Sequence, residues 1–263
     1  MMGADPRPGG LMETGFYDQY GERWLSSRRD ELERLATEYK VSTLYSLLGE
    51  LAPARIIDFG CGLGDALHLV AERLSVPEAV GIDISGSMIE EARRRHPEHT
   101  FVRGGIDELR SRSADLILFF DVLEHVEDVP SLLKVARGCA PYIAMKVPLE
   151  LTVYTRLLTL LRMKREGSRH FATEGHLYEF AEKDIDYIVA RSGLRKIAGL
   201  VTVPPRQVLF HPFLFEELHA MGGITGTVRG AGHALLGRLP CGISRRVAAF
   251  LTGSDYFLVC ERA

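Results

Sequence analysis

The residues best suited to bind a ligand form a glycine-rich turn early in the chain. Residues 58–65 read DFGCGLGD and follow a short apolar run directly. Glycines between a strand and a helix let the backbone come close to a bound molecule. A second acidic residue, Asp83, ends the next apolar run. A carboxylate there can accept hydrogen bonds from both ribose hydroxyls, so the pair predicts an adenosine-containing ligand.

The last residue of the turn helps to distinguish between adenosine-containing ligands. A dinucleotide fingerprint, GxGxxG, needs its third glycine at position 65, where this chain has Asp65. An aspartate at the start of a helix would repel a pyrophosphate. A nicotinamide-dependent oxidoreductase is therefore the less favoured interpretation. A turn that serves only folding is the other alternative.

The surrounding pattern predicts the elements that position these residues. Apolar, β-branched runs predict strands, and runs of helical periodicity predict helices between them. The predicted strands are 54–60, 79–84, 100–104, 114–121, 142–148, 194–203 and 255–262, and the helices are 16–51, 65–74, 85–96 (with Ser85 as N-cap), 130–138 and 181–192. This alternation predicts an α/β fold with a Rossmann-like, doubly wound sheet of about seven strands. The sheet should be mostly parallel with an antiparallel last strand, with helices on both faces.

The same pattern predicts a single domain. Residues 1–15 read as a flexible tail, and residues 16–263 as one domain. Within it, residues 16–52 form N-terminal cap helices, and the insertions 151–176 and 204–254 are expected to cover the substrate side.

Several segments resemble those of class I methyltransferases that depend on S-adenosylmethionine (SAM). IIDFGCGLGDALHLV resembles their motif I, and GIDIS resembles their second motif. DVLEHVED (121–128) and GHLYEFAEKDIDYIVARSGL (175–194) resemble segments of the small-molecule methyltransferases of types 11, 12 and 23. The resemblance implies SAM as cofactor and S-adenosylhomocysteine (SAH) as product. SAM carries a sulfonium and an ammonium group and no phosphate, which agrees with the acidic residues of the turn.

The resemblance also implies which residues bind the cofactor. The turn passes the methionine part of SAM, with Asp58 supporting its ammonium group, while Asp83 holds the ribose. Other residues line the adenine, lie beside the sulfonium or fold over the cofactor. The implied set is Asp58, Gly60, Cys61, Gly62, Gly64, Asp83, Ile84, Met88, Ile106, Asp107, Asp121, Val122 and Tyr17. Cys61 is expected to be a packing residue and not a nucleophile. The aromatic segment 16–24 is expected either to fold over the cofactor or to anchor the first helix.

Two histidines are candidate catalytic bases. Methyl transfer is an in-line displacement, and a base is needed only where the acceptor must lose a proton. His176 follows the first insertion, where the substrate mouth is expected, and His125 follows the fourth strand. The alternatives are that His176 fixes its loop and that His125 packs near the cofactor.

Composition narrows the classes of partner. The net charge of −3 predicts no nucleic-acid surface, and no run is long and apolar enough to span a membrane. The four cysteines and nine histidines show no metal-ligand spacing, so we expect no metal site and a metal-independent reaction. Without a secretory signal, the protein is expected to be cytoplasmic. Residues 153–165 read as an amphipathic cover helix, or as a docking helix for a carrier protein or lipid surface.

These observations predict a SAM-dependent methyltransferase that transfers a methyl group to a small-molecule acceptor in biosynthetic metabolism. Oxygen is the expected acceptor atom, with nitrogen and carbon as alternatives. A non-catalytic SAM-binding protein is the alternative outside the enzymes. The oligomeric state and the acceptor are not indicated by any motif.

Overall fold

The computed structural model describes residues 30–149, 176–209 and 254–263. The predicted tail, Tyr17 with its aromatic segment, and the amphipathic helix at 153–165 lie outside the described residues. Most of the two predicted insertions lies outside them as well. The division into tail, domain and insertions stays a prediction.

Seven strands and seven α-helices are described. The strands are β1 (Arg55–Phe59), β2 (Glu78–Asp83), β3 (Thr100–Arg103), β4 (Leu116–Phe120), β5 (Tyr142–Leu149), β6 (Leu194–Thr202) and β7 (Ser254–Arg262). The helices are α1 (Asp30–Leu48), α2 (Asp65–Leu74), α3 (Gly86–Arg95), α4 (Ile106–Arg110), α5 (Val129–Cys139), α6 (Glu182–Arg191) and α7 (Arg206–Leu209), with a 3₁₀ turn at Leu123–His125.

The strands form one sheet in the order β3-β2-β1-β4-β5-β7-β6. β1 to β5 pair in parallel, and β7 pairs antiparallel with both of its neighbours, β5 and β6. The predicted fold class is therefore confirmed, including the antiparallel last strand. The order turns back between β1 and β4, and at such a switch point the carboxyl ends of parallel strands leave a crevice for a ligand.

Beyond β5 the sheet ends in an antiparallel pair of strands, because β7 runs against both of its neighbours. Because β6 is antiparallel to β7, it has the same direction as β5, and it forms the outer edge although it precedes β7 in the chain. Strand order depends on pairing between distant segments, which local periodicity does not report.

The sheet separates two apolar layers that hold the helices in place. β4 is buried at all five positions, as its uninterrupted run LILFF predicts for a central parallel strand. One layer includes residues of α1, α2 and α3, and the other residues of α5 and α6. Ser85 caps α3 as predicted, since its hydroxyl accepts a hydrogen bond from the Met88 amide at 3.3 Å. Among the described helices, none is long and apolar enough to cross a bilayer.

Candidate active site

The glycine turn between β1 and α2 is held in a conformation that needs glycine. Gly60 has a φ of 79°, and its amide donates to the Ile82 carbonyl at 2.7 Å, which ties the turn to β2. A Cβ on Gly60 would lie 2.6 Å from Val122 Cγ2. Gly64 has a φ of 80°, and a Cβ there would lie 2.6 Å from the Phe101 ring. The two glycines therefore allow both the left-handed backbone and close packing.

The middle of the turn faces open space. Gly62 has a φ of 52°, and a Cβ there would meet nothing within 4 Å. Its amide donates to Asp83 Oδ2 at 2.9 Å, while the Ser85 amide donates to Asp83 Oδ1 at 2.9 Å. Two backbone amides thus fix the Asp83 carboxylate beside the open part of the turn, at the carboxyl end of β2.

Asp58 is a buried carboxyl group at the carboxyl end of β1. Only 1% of the residue is exposed, and its Oδ1 has no hydrogen-bond partner among the described residues. Burial and the negative charge of Asp83 raise the pKa of Asp58 to about 7, against a smaller lowering by Lys40. A buried oxygen without a partner is costly, so this carboxyl suits a cationic hydrogen-bond donor from a ligand.

A chain of alternating charges lies behind the end of β4. Asp121 contacts the ammonium group of Lys146, and its other oxygen lies 2.7 Å from Lys40 Nζ. Lys146 also lies 2.8 Å from Asp255 Oδ1, although it is only 7% exposed. The chain therefore links α1, β4, β5 and β7. Asp121 has a φ of 55°, a conformation that few non-glycine residues adopt.

Within this chain of charges, Asp121 and Lys146 hold each other ionised. Burial works to raise the pKa of Asp121, but Lys146 and Lys40 outweigh it and hold that pKa below its ordinary value. Burial works to lower the pKa of Lys146, but Asp121 and Asp255 outweigh it and raise that pKa. A salt bridge whose members are all paired can be kept in a buried site, whereas removal of one member leaves an uncompensated charge.

The two predicted catalytic histidines lie together. The rings of His125 and His176 are 4.8 Å apart, edge to face. The Leu177 amide donates to the Glu124 carbonyl at 2.7 Å, which holds the segment after His176 against the 3₁₀ turn. The fold thus brings into one group two histidines from distant parts of the chain.

Glu124 joins this group and was not singled out from the sequence. It is only 1% exposed, and neither carboxyl oxygen has a hydrogen-bond partner among the described residues. Burial and the charge of Asp121 raise the pKa of Glu124 to about 8, with Lys146 and His176 acting in the opposite direction. A buried carboxyl group that holds a proton near neutral pH beside two imidazoles can take part in proton transfer.

The remaining predicted cofactor residues are spread along the same edge of the sheet. Val122, Cys61 and Met88 are buried, and burial raises the pKa of the Cys61 thiol, as suits a packing residue. Ile84 and Ile106 are half-buried. In contrast, Asp107 has an 88% exposed side chain that pairs with Arg110 at 2.9 Å. The roles of all these residues stay predictions, as does that of Tyr17.

Sequence reasoning missed the charged residues that support the site. Lys146 carried a signal, because a lysine interrupts the apolar run YIAMKVP of a buried strand. Glu124 carried a similar signal, because it follows the apolar residues Val122 and Leu123 in the turn that holds His125. Lys40 and Asp255 gave no local signal, since their partners come from other elements.

The predicted absence of a metal site stays a prediction, although the fold brings ligand-type residues together. Sequence spacing showed no cluster of ligands, yet the described part of the chain brings two groups within metal-ligand distance. One is Glu124, His125 and His176, and the other is His68, His96 and Glu98. The predicted metal independence of the reaction stays a prediction.

The residues at the turn fit the cofactor that the sequence implies. The unpartnered Asp58 oxygen can accept a hydrogen bond from an ammonium group, and the Asp83 carboxylate can accept from ribose hydroxyls. The open space at Gly62 can admit a ligand against the backbone. Asp58 and Asp83 are both carboxyl groups, and the Arg95 guanidinium beside the turn is already paired with Asp65 and Glu91. The site thus favours a cation without phosphate.

Comparison with solved structures supports the same fold. The methyltransferase of Haloferax volcanii solved with the Trm112 methyltransferase activator gives a TM-score of 0.64 at 14% identity, over 93% of this chain and 98% of that one. The N-methyltransferase NodS of Bradyrhizobium japonicum, solved with SAH, gives 0.54 at 14% identity, over 93% of this chain and 97% of that one. These likenesses establish the fold.

Curated relatives match a shorter stretch. Trans-aconitate 2-methyltransferase of Methylobacterium nodulans is 37% identical over 92 residues, which is 34% of this chain and 36% of that protein. The enzyme of that name from Pseudomonas aeruginosa is 34% identical over 112 residues, which is 42% of this chain and 40% of that protein. The matched stretch is thus less than half the length of either relative.

A family model described as a methyltransferase domain matches residues 29–198. This match spans more than half of the chain and contains the glycine turn, Asp83, the 3₁₀ turn and His176. The strand order of the sheet and the two carboxyl groups at the turn agree with this match. The chain therefore belongs to the class I SAM-dependent methyltransferases.

Proposed function

We propose that this protein transfers the methyl group of SAM to an oxygen atom of a small molecule. The observation that carries the proposal is the pair Asp58 and Asp83 at a glycine turn with open space beside it. When bound, SAM supplies the electrophilic methyl group on its sulfonium. Asp58 would hold the ammonium group and Asp83 the ribose, and the other predicted cofactor residues would line the rest.

The Glu124–His125–His176 group supports an acceptor site on the other side of the switch point. Asp121 and Val122 directly precede the 3₁₀ turn that holds Glu124 and His125, and Val122 packs against Gly60 of the glycine turn. His176 is the proposed base for an acceptor that must lose a proton, and the buried Glu124 carboxyl is placed to share that proton. The alternative is that His176 anchors its loop through the contacts around Glu124.

The relatives support one class of acceptor. The curated relatives are named for methylation of trans-aconitate, a small polycarboxylate, and we propose a small carboxylic or hydroxylic acceptor for this chain too. A carboxylate needs no base, whereas a hydroxyl does. Nitrogen and carbon acceptors are the remaining alternatives. We also propose that residues 16–263 act as one domain whose insertions cover the acceptor.

The test is a methyl-transfer assay with purified full-length protein. Radiolabelled SAM is incubated with a panel of carboxylic acids, phenols, amines and trans-aconitate, and product and SAH are measured. For a hydroxyl acceptor, His176→Ala should lower kcat by about 10²–10⁴-fold with unchanged SAM affinity. A loop anchor predicts instead a lower melting temperature and a raised KM with kcat retained. The function is refuted if calorimetry shows no SAM or SAH binding.

A further inference from the structure

A second group of ligand-type residues lies outside the residues assigned to SAM or the acceptor. We call it the histidine cluster: His68 on α2, and His96, Glu98 and His99 in the connection between α3 and β3. The rings of His68 and His96 stack with centroids 4.5 Å apart, and those of His68 and His99 are 5.5 Å apart. Three imidazoles thus gather around one carboxylate.

The atoms of this cluster have separations that fit a metal ion. Glu98 Oε1 lies 2.9 Å from His68 Nδ1, 3.8 Å from His99 Nε2 and 3.9 Å from His96 Nδ1. His68 Nδ1 and His99 Nε2 lie 3.3 Å apart. Bonds of about 2.0–2.1 Å to Zn²⁺ in a tetrahedron place neighbouring ligand atoms about 3.3 Å apart. The four measured separations lie on both sides of that value.

A carboxylate outside the cluster orients one of the histidines. His96 Nε2 lies 2.7 Å from Asp65 Oδ1, so a proton on Nε2 leaves the Nδ1 lone pair on the side of Glu98. A carboxylate bonded to the far nitrogen is the usual support of a metal-binding histidine. Arg95 lies 3.2 Å from Asp65 and 2.8 Å from Glu91, so its charge is matched by two carboxylates.

We propose that the histidine cluster binds one divalent transition-metal ion of the Zn²⁺ class. Imidazole with one carboxylate suits such ions, whereas Mg²⁺ prefers oxygen ligands. The side chains of Glu98 and His68 are 49% and 34% exposed, so an ion can enter from solvent. His68, His96 and Glu98 offer three ligand atoms within 4.8 Å of one another, and His99 lies beside them as a fourth candidate ligand. A site closed by four protein ligands is structural. The ion cross-links α2 to the connection before β3.

The position of the site gives the ion an effect on the cofactor turn. Asp65, which orients His96, is the first residue of α2 and follows Gly64 directly. Phe101, one residue after the start of β3, packs beside Gly64. An ion that cross-links α2 to the connection before β3 therefore fixes the two segments that pack around Gly64, and it stabilises the fold at the end of the glycine turn.

The experiment is a Zn²⁺ titration of full-length protein first treated with chelator, followed by calorimetry and by the melting temperature. The wild type should bind one Zn²⁺ that is lost in His68→Asn and in Glu98→Gln, and Zn²⁺ should raise its melting temperature. Asp65→Asn should weaken binding about 10–100-fold. Mg²⁺ should produce neither effect.

Two matched variants keep the result specific. Glu72→Gln neutralises an exposed carboxylate on the helix that carries His68 and should leave Zn²⁺ binding unchanged. His176→Asn tests the group at the acceptor side and should also retain the ion. If His68→Asn and Glu98→Gln bind Zn²⁺ like the wild type, or if only His176→Asn loses it, the proposed site is wrong. Circular dichroism checks the fold of each variant. If His68→Asn unfolds, Glu98→Gln still tests the site, because Glu98 is exposed.

Discussion

Replacing Asp58 by asparagine should stabilise the protein in the absence of cofactor, and the gain should grow with pH. The Asp58 carboxyl is buried at the end of β1, and its pKa is raised to about 7 by burial and by Asp83. The unfolded chain ionises this group near its ordinary pKa of 3.8. Between these two values the folded state holds the proton more tightly, so stability falls as pH rises.

The size of the effect follows from the two pKa values. The difference between 3.8 and about 7, at about 1.4 kcal/mol per pH unit, corresponds to about 4 kcal/mol once pH exceeds both values. At pH 5 only about 2 kcal/mol of this cost is present. The free energy of unfolding of Asp58→Asn relative to wild type should therefore increase by roughly 2–3 kcal/mol between pH 5 and pH 8.

Urea denaturation at pH 5, 6, 7 and 8, without SAM, measures this difference. The comparison across pH isolates the charge, because contacts of the uncharged amide contribute equally at each pH. Glu90→Gln, an exposed carboxylate on α3, is the control and should show no comparable trend. A difference between Asp58→Asn and wild type that is constant from pH 5 to 8 would refute the reasoning.

The same substitution should weaken cofactor binding, which separates stability from function. Loss of a charge-assisted hydrogen bond to the ammonium group costs roughly 1.5–3 kcal/mol, or about 10–150-fold in affinity for SAM. In the wild type, SAM affinity should rise with pH up to about 7, because Asp58 must be ionised to hold the cation. Calorimetry across pH tests both statements, and a pH-independent wild-type affinity contradicts the second.

Two further pairs of substitutions test the packing and the charges of the site. Gly60→Ala should lower SAM affinity and the melting temperature, because its Cβ would lie 2.6 Å from Val122 Cγ2. In Gly62→Ala the new Cβ has no atom within 4 Å, so this variant should lose only the roughly 1–2 kcal/mol that a left-handed backbone costs a non-glycine residue. Equal effects of the two variants in thermal melts would contradict this. Lys146→Met should destabilise by about 3–5 kcal/mol, because the buried Asp255 carboxylate loses its lysine while Asp121 keeps Lys40. Adding Asp255→Leu should recover part of the loss, and full additivity in urea denaturation would contradict this.

Strands and helices near the glycine turn could be predicted because their residues satisfy local rules. The helix predicted at 65–74 begins and ends at those residues, and α3 starts after the predicted cap. β4 was recognisable because a fully buried parallel strand is an unbroken apolar run. At the turn, the glycine spacing and Asp83 predicted an adenosine-containing ligand, because adjacent parallel strands end at the same edge of the sheet.

Contacts that depend on distant pairing could not be predicted. β7 enters between β5 and β6, and only this register brings Asp255 to Lys146. The histidine cluster arises because α2 and the connection before β3 pack together, which brings His68 beside His99. The periodicity of a short stretch of sequence contains no information on contacts between distant segments. Glu124 was overlooked because His125, its neighbour, has the more familiar chemistry.

The position of β7 has a consequence for biosynthesis of the chain. Residues 55–149 can form the five parallel strands early, but β7 (Ser254–Arg262) fills the place between β5 and β6 only much later. At about 5–20 residues per second, translation from Leu149 to Arg262 takes roughly 6–23 s. Throughout that interval the outer edge of β5 presents unpaired backbone groups to other nascent chains. Slower elongation after β5 should therefore increase aggregation during expression, and chaperone supply should reduce it.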